Sequence, residues 1–141
     1  MRSPVAREIS QLNALHATPV GTAWRGPDGR IEHLTPSRAA LRAHETPPVV
    51  CHARSIARRL DVEQIQALDV LELFAFVRPA TFCLPTPRGL AEAMGLPLPH
   101  HLDEAPDTLL AAADALLAEL PERQAIGERD RWARPIARAM A

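Results

Sequence analysis

Apolar residues recur along this chain in short runs, most of them closed by proline or glycine. Val5, Ile9, Leu12 and Leu15 fall at helical spacing behind Ser3-Pro4, a capping hydroxyl followed by a proline suited to a first helical position. The pattern predicts an N-terminal helix over residues 4–17, ended by Pro19. Residues 20–24 are short and β-compatible. Gly26-Pro27-Asp28-Gly29 is a turn signal, and residues 30–34 alternate behind it, so a β-hairpin with a loop of about five residues is expected. Thr35-Pro36 repeats the cap-plus-proline start for a helix over residues 37–44, with Ala40 and Leu41 facing inward.

The centre of the chain is residues 46–96. Pro47-Pro48 imposes extension, and Val49-Val50-Cys51 follows without polar alternation, the mark of a strand buried on both faces. Residues 54–60 predict a helix with Ile56 and Leu60 inward and Arg54, Arg58 and Arg59 outward. Residues 61–67 read as a loop. Asp69 and Glu72 resemble a capping box opening a buried helix over residues 70–77, with a strand as the alternative for so short an apolar run. Thr86-Pro87 opens another helix with Leu90, Ala91 and Met94 inside and Gly95 as its stop. Residues 97–101 link to the longest helix, residues 104–120, striped by Leu109, Ala113, Leu116, Leu117 and Leu120. The expectation is an α/β domain over residues 1–121, a short mixed sheet with a hairpin flanked by helices. An Arg-rich segment or linker over residues 122–141 follows.

With 141 residues and 47% hydrophobic content, the chain can bury one core. The net charge is −1, so no global field draws in nucleic acid, although a local patch can. All 16 basic residues are Arg. Without Lys there is no P-loop, and the six glycines never form a dinucleotide-binding fingerprint. Cys51 and Cys83 sit in apolar runs, as free thiols of a reducing compartment do. No apolar run approaches the ~20 residues that span a bilayer, and Glu8, Gln11 and Asn13 interrupt any signal-peptide core. A cytoplasmic location without membrane partners is expected.

Candidate chemistry is thin. Cys51, His52, His100 and His101 could be assembled into a thiol hydrolase, but no signature places an acid or Asn beside them, and buried thiol with loop histidines is the plainer reading. His100-His101-x-Asp103 lacks the remaining ligands of a zinc site. The carboxylates Asp28, Glu32, Asp69, Glu72, Asp103, Glu104, Asp107 and Asp114 are read as helix starts or solvated surface rather than a two-metal cluster. No cofactor is implied. For nucleic acid the candidates are Arg54, Arg58 and Arg59, and Arg131, Trp132 and Arg134 with Arg129 and Arg138 around them. Against this stands the reading of a solvated face, or of a tail docking on a neighbour through Trp132.

The order of elements, with Pro-Val-Val-Cys-His at residues 48–52 and Leu-Ala-Glu-Ala-Met-Gly-Leu at residues 90–96, resembles the DnaQ-type 3′–5′ exonuclease domain, a ribonuclease H-like α/β fold. More narrowly, Leu-Asp-Val-Leu-Glu-Leu-Phe-Ala-Phe-Val-Arg-Pro at residues 68–79 and Pro-Thr-Pro-Arg-Gly-Leu-Ala at residues 85–91 are similar to the N-terminal region of bacterial DinG-type ATP-dependent DNA helicases. There a degenerate exonuclease-like domain precedes the motor. The resemblance covers roughly residues 20–120. It implies an Asp-x-Glu pair on the first strand, which neither residues 20–24 nor 30–34 contain. The second motif, His-Asn and then Phe-Asp, falls on His52-Ala53 and Ile56-Ala57. The third, His and then Asp five places on, runs from His101 to Pro106, with Asp107 one place late. Only His52 and Asp69 match, and neither is a metal-binding carboxylate of the family. The resemblance thus implies a catalytically inactive accessory domain, partnered by a helicase motor in cis or by another protein, with DNA as a candidate contact. The alternatives are an active metal-dependent nuclease with rearranged carboxylates and a free-standing interaction module.

Overall fold

The computed structural model describes residues 9–121. Five strands, β1 (Ala14–Thr18), β2 (Gly21–Arg25), β3 (Ile31–His33), β4 (Val49–Val50) and β5 (Leu68–Asp69), form one open mixed sheet ordered β3-β2-β1-β4-β5. β1, β2 and β3 are an antiparallel meander, with Leu15 opposite Trp24 and Trp24 opposite Glu32. β4 then pairs parallel to β1, and β5 parallel to β4. Five helices cover it: α1 (Pro36–Glu45), α2 (Ala53–Arg59), α3 (Val70–Val77), α4 (Pro87–Met94) and α5 (Ala105–Glu119), the last entered through a 3₁₀ turn at Leu102–Glu104. The expected α/β class, hairpin and helical cover are present.

The helix starts follow the cap-plus-proline reading. Thr35 Oγ accepts the Arg38 N–H at 3.3 Å, and Thr86 Oγ accepts the Gly89 N–H at 2.9 Å. Asp69 caps α3, so the helix and not the strand is formed over Val70–Val77. In the β2–β3 turn the Gly26 N–H donates to the Arg30 carbonyl, and Gly29 takes φ +86°.

The N-terminal helix differs from expectation. Residues 9–10 are helical, but Ala14–Thr18 is the central strand of the sheet. Leu12, before the strand, and Leu15, within it, enter opposite cores rather than one helical stripe. The strand is imposed from outside, by its ladder to β2 and by the Val49 N–H donating to the Asn13 carbonyl at 2.8 Å. The part of that expectation before Ile9, and the whole segment 122–141, lie outside the described residues. In α1 the inward stripe is Ala39 and Ala43, with Ala40 partly buried against the same core; Leu41, expected inside, is 66% exposed. Two small residues one turn apart let this short helix lie close over Trp24, and the stripe turns Leu41 outward.

Strand alternation divides the interior in two. Ala14 and Val49 face one core with Leu73, Phe74, Leu90, Leu109 and Leu116 of α3, α4 and α5. Leu15, Ala17, Trp24 and Val50 face the other, with Ala39, Ala43 and Ile56 of α1 and α2.

Candidate functional site

His16 and Thr18 share the Ala14 face at the carboxyl end of β1. In an open α/β sheet, ligands sit at the carboxyl ends of strands where the strand order reverses; here that is between β1 and β4. A cleft of about 310 Å³ opens at the carboxyl end of β1, lined among others by His16, Thr18, Thr86, Arg88, His100 and His101 and by no residue of β4. His16 Nδ1 is buried without a partner. Burial, with the nearby Arg59 charge adding to it, pushes this imidazole down to about 4. The ring is therefore neutral at pH 7. We assign its proton to Nε2, because an unpaired N–H at the buried nitrogen would cost more than a bare ring nitrogen. Thr18 is spent on its turn: its Oγ donates to the Gly21 carbonyl and accepts the Val20 N–H.

At the neighbouring strand ends Asp69 holds the backbone together. Its carboxylate accepts N–H bonds from His52 (2.9 Å), Ala53 (2.8 Å) and Leu71 (3.0 Å), tying the β4–α2 turn to the start of α3. His52 has left-handed backbone, φ +64°, so the chain can turn sharply into α2, and its Nδ1 hydrogen-bonds Ser55 Oγ. Burial, with the Asp69 carboxylate adding to it, pushes the Cys51 thiol far up, so it is no thiolate nucleophile. His52, one of the candidate bases, is hydrogen-bonded to Ser55.

Most other carboxylates named from the sequence are engaged. Asp103 pairs with His33, Asp107 with Arg25 at 2.9 Å and Glu32 with Arg42 at 3.2 Å, while Glu104 accepts the N–H groups of His100 and His101. Among the described residues no group of three His, Cys, Asp or Glu side chains is placed to hold a metal ion.

The arginines divide by layer. Arg54, Arg58 and Arg59 are exposed on α2, and Arg38, which sequence reasoning missed, is exposed on α1. The missed signal is tertiary: α1 and α2 cover the same side of the sheet. Together they carry Arg38, Arg42, Arg54, Arg58 and Arg59 against Glu45 alone. The opposite layer carries Glu72, Glu92, Asp103, Glu104, Asp107, Asp114 and Glu119 against Arg78 and Arg88. Arg25, Arg42, Arg78 and Arg88 each have an acidic partner. Arg38, Arg54, Arg58 and Arg59 have none among the described residues, and neither does the exposed Arg30 at the β2–β3 turn. Arg131, Trp132 and Arg134 lie outside those residues. Comparison with known families, with characterised proteins and with solved structures finds no match to this chain.

Proposed function

We propose that this chain is a catalytically inactive, exonuclease-like accessory domain of a DinG-type ATP-dependent DNA helicase, which positions the motor or guides DNA. The observation that carries the reading is the end of the first strand. β1 reads Ala14-Leu15-His16-Ala17-Thr18 and carries no Asp-x-Glu pair, which supports the inactive half of the reading. A meander leading into parallel crossover strands, with helices on both faces, supports the ribonuclease H-like form of the fold.

The residues present do not fit a pair of divalent ions. Hard cations take several oxygen ligands, carboxylates above all. His16 is a neutral imidazole, Thr18 is bonded within its turn, and Ala57 and Pro106 stand where the second and third motifs place acids. Ala57 is 2% exposed within α2, and Pro106 is buried at the start of α5. The Asp69 clamp and the Thr86 helix start would then be structural parts that outlast the lost chemistry.

Two measurements test the reading. Incubation with single-stranded DNA and Mn²⁺ is expected to leave the DNA intact; cleavage abolished by Asp103→Asn or Asp107→Asn would restore the nuclease alternative. The reading frame that continues from Ala141 is expected to encode a P-loop ATPase in the cytoplasm, and its absence removes the helicase half of the proposal.

A further inference from the structure

Between α1 and the turn that follows α2 runs a groove of about 700 Å³. Ala40, Leu41 and His44 line one side; Arg59, Leu60 and Val62 line the other. A second hollow of about 480 Å³ shares Ala40, His44 and Val62 with it, so the depression continues toward Ile65. Leu41 is exposed within it, a large apolar side chain on an otherwise polar helix face. Asp61 is the acid that lines it.

We propose that this groove, with Arg59 on its wall and Arg38, Arg54 and Arg58 exposed on α1 and α2, binds single-stranded DNA. The inference rests on the reading of the chain as a DNA-guiding module and says where on the domain the strand lies. Charge complementarity selects the occupant. Arginines elsewhere that face an acid are neutralised within the fold. Arg38, Arg54, Arg58 and Arg59 are left as four exposed cations without an ion-pair partner in one layer, against Glu45 on α1 and Asp61 in the groove. Such a set attracts a polyanion, because binding releases condensed counterions from its phosphates. The acidic opposite layer repels the same polyanion and fixes which side it meets.

The groove floor selects the single strand over the duplex. Leu41, Val62 and the aliphatic edge of Ala40 offer apolar contact to unstacked bases, which a duplex keeps inside. His44 adds a flat ring on which a base can stack. Arg42 does not join the set, since it lies 5.5 Å over the Trp24 ring and pairs with Glu32.

The test is fluorescence anisotropy of a labelled oligothymidylate of about 12 nucleotides with the full chain. Four phosphates neutralised on a single strand give a slope near −3 for log affinity against log salt, so affinity should fall by roughly 50-fold between about 50 and 200 mM NaCl. Replacing Arg38, Arg54, Arg58 and Arg59 together by Ala is expected to abolish most of that slope. Leu41→Ala should weaken binding with the slope unchanged, a split that charge alone does not produce. Arg30→Ala, at an exposed arginine of the β2–β3 turn that does not line the groove, should change neither. Far-ultraviolet circular dichroism of each variant keeps a folding failure from passing as lost binding. No binding at about 50 mM salt, a slope untouched by the fourfold variant, equal affinity for a duplex of the same length, or equal affinity for a polyglutamate peptide each overturns the inference. Binding by a chain whose reading frame encodes no ATPase removes the helicase reading and leaves this site. A helicase frame with no binding does the reverse.

Discussion

Burial keeps the His16 imidazole neutral, and stability must respond to pH as a result. The unfolded chain takes up this proton near 6.5 and the folded chain only near 4. Between those values the unfolded state binds more protons, so stability falls as pH falls through that window and is fully retained above it. The loss is of the order of 2–3 kcal/mol by pH 4. Urea midpoints for the wild type and His16→Leu should therefore converge or cross between pH 7 and pH 4.5, the variant losing less. Equal losses in both would assign the acid sensitivity elsewhere. Asp69 is the converse, a carboxylate satisfied by three backbone N–H groups. Asp69→Ala strands donors in two turns at once and should cost about 2–4 kcal/mol at pH 7, read as a lower urea midpoint. The helix start at Asp69 was legible from Asp-x-x-Glu. Its hold on the β4–α2 turn was not, because nothing in the order of residues says that His52 and Ala53 come within reach.

At the scale of elements, α4 shows why a local signal can be read correctly and still understate what a position demands. Thr86-Pro87 announces the helix, and Gly95, at φ +69°, ends it. Gly89 announces nothing, yet a Cβ there would collide with the Leu84 carbonyl oxygen. Gly89→Ala must displace backbone, whereas Gly95→Ala meets open space and bears only the left-handed conformation, about 1 kcal/mol. Thermal denaturation should rank Gly89→Ala as clearly the more harmful, and the reverse order would mean that the 84–89 turn yields easily. β1 is the opposite case. Ala14-Leu15-His16-Ala17-Thr18 has little β-propensity of its own, and Val5, Ile9, Leu12 and Leu15 complete a helical stripe. Caps, prolines and tight turns are encoded within a few residues and were readable. A central strand held by partners on both sides is encoded in those partners.

For the whole molecule the same distinction governs charge and core. A net charge of −1 conceals a basic layer and an acidic one, because only the strand order decides which helices share a side. Arg38 and Arg59 lie 21 positions apart in sequence, yet α1 and α2 pack on the same core. The two cores are likewise separate in composition but joined through β1 and β4, whose alternate residues enter one or the other. If the sheet couples them, they melt together. Trp24 is 1% exposed in the α1–α2 core and hydrogen-bonds Asn13 at 2.9 Å, so in a Trp132→Phe background its fluorescence reports that side alone. Leu116 is fully buried on the other side. Leu116→Ala should cost about 2–5 kcal/mol and move the Trp24 transition and the far-ultraviolet circular dichroism transition by the same amount. A Trp24 transition that stays in place while the helical signal shifts would split the domain along its sheet. The basic layer would then be a unit that could open without the acidic one. Coincident shifts would mean that the proposed DNA-facing groove is held rigid by a core it does not touch, through two strands of five and two residues.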